Sequence, residues 1–527
     1  MGILLNPDNL NFKEAINSEI YIDKTELIKH TNKVLQTKQK YICVSRPRRF
    51  GKSMAADMLT AYYSRGCDSE QMFSKYKISK AESFSEHLNK YNVIHINMVE
   101  FLSYGKDINE ILEYLVRRIL RELKKEYHDV DCFDWNNLIL CLEEIFYEKK
   151  KAFIFIIDEW DCIFRKHKHD KESQTVYLDF LRNLLKDHSY VALAYMTGIL
   201  PIKKYGEHSA INMFTEISMI SAREYTEFTG FIEDEVNELC EKYDMLLKEA
   251  KYFYNGYNLK GTSIYNPRSV VMSMTGHDYG NYWTSTETYE ALKDYIRLDF
   301  DGLREKVTSM IAGEKVRINT AKFQNDMTTL NSADDVLTLL VHLGYLTYGE
   351  INSMGTGEVW IPNGEVRQEF INSIEDGGWE HLMRSINASE ELLKATLDMD
   401  NEKVAQMIEN CHNDNASIFR YNDENSLACV ITIAYYYARN KYIMHREYAT
   451  GKGYADIVFI PLPKQTELPA IVVELKYNHA TETAINQIKE KKYTEKLQDY
   501  TGEILLAGIC YDETKGHSCK IEKFQKL

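Results

Sequence analysis

Long apolar runs are missing from this sequence. The longest, "VITIAYYYA", falls well short of the roughly 20 residues that span a bilayer, so no membrane-crossing segment is expected. The ten cysteines include no CxxC pair. With no export signal beside them they read as reduced core thiols, not as a disulfide frame or a zinc site. There is no fixed-period repeat and no low-complexity linker. Basic residues are outnumbered, with 64 Lys and Arg against 79 Asp and Glu and a net charge of -15. That excludes a protein coated in nucleic acid, but it leaves room for a local basic groove, because binding follows the local field. The opening "MGILLNPDNLNFKEAI" has too short an apolar stretch, and no basic lead-in, for a signal peptide. Asn6 stands where a myristoylation site needs Ser or Thr. The expected location is the cytoplasm.

The 527 residues are 44% hydrophobic and 27% charged, a globular composition with length for about two to four domains. Strand-like and helix-like segments alternate through the first part. "KYICVS", "YNVIHINMVE", "KKKAFIFIIDEWD" and "SYVALAYMTG" read as strands. "KSMAADMLTAYYS", "INEILEYLVRRILRELKKEY" and "TVYLDFLRNLLKDH" read as helices between them. Such alternation predicts a covered, mostly parallel sheet. From about Ser221 helices are separated by aromatic and glycine punctuation. "ADDVLTLLVHLGYLTYGE" and "GEVWIPNGEVRQEFI" predict helices, a small hairpin and a helix, an order that suits a winged-helix-like unit. The last third returns to α/β character, with strands at "GYADIVFIPLP", "PAIVVELKY" and "EILLAGICYD" and helices at "SLACVITIAYYYARN" and "ETAINQIKEKKYTEKL". The expected domains are 1–225, 226–385 and 386–527.

The stretch "YICVSRPRRFGKSMAADML" places Gly51, Lys52 and Ser53 between a strand and a helix. A phosphate loop works there because backbone N–H groups of the turn and of the helix start point at phosphate oxygens. The lysine neutralises β- and γ-phosphates, and the hydroxyl binds Mg²⁺. The glycine that opens the usual motif is replaced by Arg46, and Arg46, Pro47, Arg48 and Arg49 make the loop more cationic. A second element strengthens the reading. "FIFIIDEWD" ends a buried strand with Asp158, the position from which such ATPases hold Mg²⁺, and Glu159 beside it can orient or deprotonate water. Thr197, closing "VALAYMTG", stands where a polar residue senses the γ-phosphate from a third strand. The nucleotide set is therefore Arg49, Phe50, Gly51, Lys52, Ser53, Asp158 and Thr197.

Taken together, "YIDKTELI", "RPRRFGKS", "IIDEWD", "TG", "YNGY" and "YNPRSV" resemble the AAA-ATPase-like family of bacterial and archaeal proteins, over roughly the first 290 residues. The departure at Arg46 is itself a mark of that family. The resemblance implies an ATP-binding α/β domain in which Lys52 and Ser53 serve phosphate and Mg²⁺, Asp158 serves Mg²⁺ and Glu159 is the catalytic base. It also brings Asp23 and Lys24 toward the nucleotide. Arg268, following a turn, is either an arginine finger or a structural ion-pair partner.

The other constellation lies in "REYATGKGYADIVFI" and "AIVVELKYNHA". Glu474 and Lys476, two apart in one strand, share a face. If the strands pair as a hairpin across "PLPKQTELP", Asp456 and Glu474 converge on one divalent ion, leaving room for water and phosphate. Lys476 then positions that water or offsets charge. Charges inside so apolar a strand would be costly without partners. This acid, then acid-x-lysine pattern resembles the PD-(D/E)XK nuclease superfamily, from about Ser417 to the end. The resemblance implies metal ligation by Asp456 and Glu474, a catalytic Lys476, a further acid at Glu447 and a polar partner at Gln487. Lys489, Lys491 and Lys492 either meet DNA phosphates or form a solvated helix face.

The expected architecture is α/β: an N-terminal P-loop ATPase, a helical and winged-helix-like middle, and a C-terminal PD-(D/E)XK nuclease-like domain. The expected activity is an ATP-binding and ATP-hydrolysing protein controlling a nuclease that uses Mg²⁺ or Mn²⁺, with DNA as partner, no membrane, and a homo-oligomeric form in view. The alternative is an ATP-dependent switch whose nuclease-like domain only binds nucleic acid or a partner.

Overall fold

The structure is a computed structural model. It describes residues 2–202, 211–222, 224–283, 288–298, 300–324, 330–375, 379–415, 424–450, 453–462, 465, 467–491, 500 and 502–524. The chain divides into two compact units, Met1–Ser285 with Arg317–Val366, and Thr286–Val316 with Arg367–Leu527. The region 226–385 is thus shared between them.

The first unit is built on five parallel strands, β1 (Tyr41–Ser45), β2 (Asn92–Asn97), β3 (Phe153–Asp158), β4 (Val191–Gly198) and β5 (Thr215–Ile217), in the order β2-β3-β4-β1-β5. Every residue of β1, β3 and β4 is buried, as both faces of a parallel sheet must be when helices cover them. The helix Lys52–Tyr63 packs against β2, β3 and β4, and the longer helix Ile108–Glu126 belongs to the same unit. Its Asp107 side chain accepts the Asn109 and Glu110 N–H groups, and Ile111, Leu112, Leu115, Ile119 and Leu123 form the buried stripe. The four strands expected from the sequence are all present; β5, three residues long, carries no comparable signal.

Two small sheets follow. One holds β6 (Phe231–Ile232), β7 (Tyr257–Leu259) and β8 (Thr262–Tyr265) in the order β6-β8-β7; the other holds β9 (Val316–Asn319), β10 (Thr347–Tyr348) and β11 (Thr356–Trp360) in the order β10-β11-β9. The expected hairpin is β10 with β11. It lies between the helices Ala333–Leu343 and Gly364–Glu375, with β9 added.

The second unit carries a mixed sheet in chain order, β12 (Tyr442–Thr450), β13 (Gly453–Pro461), β14 (Ala470–Tyr477), β15 (Ile504–Asp512) and β16 (Gly516–Lys523). Only β14 and β15 pair in parallel. The helix Thr481–Glu490 makes their crossover and buries Ala484, Ile485 and Ile488. Gly508 on β15 allows its close approach, since a Cβ there would lie 2.8 Å from the Thr481 carbonyl oxygen. The expected continuation of this helix beyond 491, Lys492 included, falls outside the described residues until residue 500. All ten cysteines are free thiols, eight of them buried. Among the described residues no helix is long and apolar enough to cross a membrane.

Candidate active sites

In the first unit the helix Lys52–Tyr63 starts where β1 and its turn end, with Gly51 at φ 82° and no side chain capping its first turn. The first N–H groups of such a helix start, backed by the helix dipole, are groups that can receive an anion. Arg49 is also left-handed, at φ 69°, which narrows the turn. Lys52 is buried, and its Nζ donates to the loop's own Pro47 carbonyl at 3.0 Å. Burial pushes its pKa down, opposed by Glu159, Asp161 and Asp158. A phosphate would take over the contact Lys52 now makes to Pro47. Ser53 is exposed at the same helix start.

One expectation about this loop is corrected. Arg46 does not add charge toward a phosphate. It is fully buried, with Nε on Thr229 Oγ1 at 3.0 Å and Nη1 on the Ser45 and Ile217 carbonyls at 3.0 and 3.2 Å. Carbonyls at the ends of β1 and β5 need donors there, and the guanidinium supplies them. The Phe50 ring packs edge-on against Tyr257 at 5.1 Å. Asp23 and Lys24 have structural work: Asp23 accepts the Thr25 and Lys77 N–H groups, and Lys24 pairs with Glu235 at 2.6 Å. Arg49 Nη1 donates to the Tyr282 carbonyl at 2.7 Å. Arg268 is exposed and has no ion-pair partner among the described residues; its charge helps to lower the Arg49 pKa, after burial.

Strand β4 lies between β1 and β3, which brings Thr197 to Asp158. Thr197 Oγ1 donates to Asp158 Oδ1, and the Glu159 N–H donates to the same oxygen at 2.9 Å. Glu159 sits at φ 53°, and its carboxylate is held by Arg165, whose Nε also reaches Asp161 at 3.2 Å. Asp161 is fully buried and accepts the Ile199 and Leu200 N–H groups at 3.1 and 2.9 Å, tying the turns after β3 and β4 together. Gly198 is required beside it, because a Cβ would lie 2.7 Å from Asp161 Oδ1. The sequence reading missed Asp161 and Arg165. Their i, i+4 spacing on the segment after "IIDE" was the available signal.

In the second unit β13 and β14 form the expected hairpin, with Ile457 paired to Val473, so Asp456 and Glu474 stand side by side. Asp456 Oδ2 accepts the Leu475 N–H at 2.7 Å. Glu474 is buried; its Oε1 accepts from Lys476 Nζ at 3.1 Å and from Gln487 Nε2, while Oε2 has no hydrogen-bond partner among the described residues. Burial, then the Asp456 charge, pushes the Glu474 pKa up to about 7, and burial raises that of Asp456. Burial works against the Lys476 charge as well, but Glu474, Glu424 and Asp456 carry its pKa above the usual value. Lys476 Nζ also reaches Glu424 Oε1 at 3.4 Å. Glu424, at the start of the helix Glu424–Ala434, was not singled out from sequence, since 50 residues separate it from Glu474 and no local pattern marks it. Glu447 lies between the paired Arg446 and Tyr448, opposite Asp456, exposed and at φ 47°. Lys489 pairs with Glu522 at 2.6 Å. A buried carboxylate oxygen without a donor, next to a second carboxylate, fits a divalent cation.

Residues 10–206 match the family described as predicted AAA-ATPase, and residues 422–521 match the PD-(D/E)XK nuclease superfamily. The chain therefore joins an AAA-ATPase-like segment to a PD-(D/E)XK nuclease-like one. A protein of Azotobacter chroococcum mcd 1, described as "Uncharacterized protein in vnfD 5'region", is 24% identical over 347 residues, which is 63% of this chain and 62% of that one. The chain thus spans less than two thirds of that relative's length. Distant likenesses among solved structures include the Aeropyrum pernix ORC2 protein in ADPNP-ADP complexes, at 11% identity and a TM-score of 0.31, covering 68% of this chain and 96% of that one. Drosophila ORC bound to DNA is similar at 10% identity and a TM-score of 0.26, covering 69% and 91%.

Proposed function

We propose that the first unit binds and hydrolyses ATP, and that it controls a divalent-metal-dependent nuclease in the second unit, acting on DNA. The observation that carries the nuclease reading is the meeting of Asp456, Glu474, Lys476 and Gln487 around a buried carboxylate oxygen that no described residue reaches with a donor.

Ser53 and Asp158 would hold the Mg²⁺ of the nucleotide, and Asp456 and Glu474 the Mg²⁺ or Mn²⁺ of the nuclease. Bound there, such ions supply Lewis acidity toward phosphate and a more acidic water. In the first unit the helix N–H groups and Lys52 bind the phosphates, and Thr197 holds Asp158 in place. Glu159 takes the proton of the attacking water once Arg165 lets it go. In the second unit Gln487 orients Glu474, and Lys476, kept charged by three carboxylates, sits where negative charge develops on the phosphate or where a water must be held. DNA enters the reading through the nuclease superfamily and through the all-oxygen metal site. Cytoplasmic location and a homo-oligomeric form belong to the same reading.

The test is cleavage of plasmid and linear DNA by the full chain in Mg²⁺ or Mn²⁺, with and without ATP. Metal-dependent cutting that responds to ATP is the expected result. Suppose single-stranded, double-stranded and branched DNA and RNA all stay intact, and calorimetry finds no ion at Asp456. The switch that only binds nucleic acid or a partner then replaces the nuclease.

A further inference from the structure

A separate cluster in the second unit has no part in that reading. Glu409 and His412 stand three residues apart on the helix Asn401–Asn415, hence on one face of it. Opposite them, on β16, is His517, whose side chain is fully buried. One ligand atom from each of the three lies within 4.8 Å of the others. We propose that Glu409, His412 and His517 bind one divalent transition-metal ion of the zinc class, which pins the helix Asn401–Asn415 to the β15–β16 hairpin.

The geometry suits such an ion. The two imidazole centroids are 5.3 Å apart with ring planes at 79°. Two imidazoles on one tetrahedral zinc, at Zn–N of about 2.0–2.1 Å, place their centroids about 5 Å apart. Glu409 is aimed by the backbone: its Oε2 accepts the His517 N–H at 2.9 Å and lies 2.5 Å from His517 Nδ1. A cation would take the place of the proton shared in that second contact. Gly516, at φ 75°, makes room for the carboxylate, since a Cβ there would lie 2.9 Å from Glu409 Oε2.

Two imidazoles and one carboxylate favour zinc, cobalt or nickel over the magnesium that an all-oxygen site such as Asp456 and Glu474 selects. Tyr511 packs against both rings, at 5.2 Å from His412 and 4.8 Å from His517, and fixes their orientation. Three protein ligands leave a fourth position for water, and Glu409, 36% exposed, opens the site to solvent.

Cobalt is the probe, titrated into the chelator-stripped full chain carrying Asp456→Ala, so that the oxygen site does not compete. The expected result is one bound equivalent whose visible absorption is that of nitrogen and oxygen ligands, without a thiolate charge-transfer band from Cys411 or Cys519. His412→Gln and His517→Gln should each weaken it by at least roughly 10–100-fold, while Cys411→Ser and Cys519→Ser leave it unchanged. Zinc should raise the unfolding temperature of the wild-type chain but not of the histidine variants. Absence of bound cobalt, a thiolate band, or equal uptake in both histidine variants would each overturn the proposal. If His517→Gln proves unfolded by circular dichroism, His412→Gln and the spectrum of the parent decide.

Discussion

At the scale of single residues, two basic side chains of one loop have opposite jobs. Lys52 is buried beside acidic neighbours and presently held by a carbonyl. Lys52→Ala should cost on the order of 2–3 kcal/mol of ATP binding, hence roughly 30- to 150-fold in affinity. Equal affinity by calorimetry would remove the phosphate-loop assignment. Arg46, six residues earlier, binds backbone carbonyls instead. Arg46→Ala should lower stability by about 2–4 kcal/mol in denaturant unfolding, because buried carbonyls lose charged donors. The folded fraction should still bind ATP. Glu159→Gln should keep ATP bound and stop hydrolysis, a separation that single-turnover kinetics can read. In the second unit, Asp456→Ala and Glu474→Ala should each abolish cleavage, and the double variant should be no worse, since the two carboxylates act as one ion site. Lys476→Ala should instead leave metal binding intact and slow the chemistry. Calorimetry with Mn²⁺ beside a cleavage assay separates these outcomes.

At the scale of elements, the helix Ala333–Leu343 resembles a recognition helix in its order but not in its surface. Its first turn carries Asp334 and Asp335, and nearly every residue of it is buried. An acidic, covered helix repels phosphate and has no free face for bases. We expect this helix to serve as a lid or coupling element, not as a DNA reader, with DNA photo-crosslinks falling outside residues 330–350; crosslinks concentrated there would refute that expectation. Its end touches the phosphate loop. Gly344 has φ 88°, and a Cβ on it would lie 2.6 Å from Pro47 Cβ. Tyr257, which packs on Phe50, donates from its hydroxyl to the Gly344 carbonyl at 2.9 Å. Gly344→Ala should therefore cost about 1–3 kcal/mol of stability and weaken ATP binding by displacing the loop. Unchanged ATP affinity in that variant would break the proposed link.

At the scale of the molecule, a net charge of -15 confines any nucleic-acid contact to local patches. DNA binding should weaken steeply with salt, and it should persist in Asp456→Ala, Glu474→Ala and Lys476→Ala, since distributed phosphate contacts carry it. Control by ATP has its own signature. Lys52→Ala should cleave at the rate of the wild-type chain without ATP, whether or not ATP is present. A wild-type rate that ignores ATP would separate the two activities and end the claim of control.

Local physics decided much of this protein before any folding. A strand buried on both faces writes itself as "FIFIID", a helix-start anion site as a glycine followed by lysine and serine, and a strand face as Glu474 and Lys476 two residues apart. Those patterns are short in sequence, so the placement of Lys52 at a helix start, of Thr197 beside Asp158 and of Asp456 beside Glu474 was legible, as were the hairpin joining β13 to β14 and the alternation of the first sheet. What depended on distant partners was not. Arg46 read as loop charge until β5 brought the Ile217 carbonyl across 171 residues. Glu424 met Lys476 across 52 residues, and Glu409 met His517 across 108. Side-chain chemistry alone does not choose among such partners. The pairing of strands does, because burial makes each polar group find whatever donor or acceptor the packed chain has put within reach.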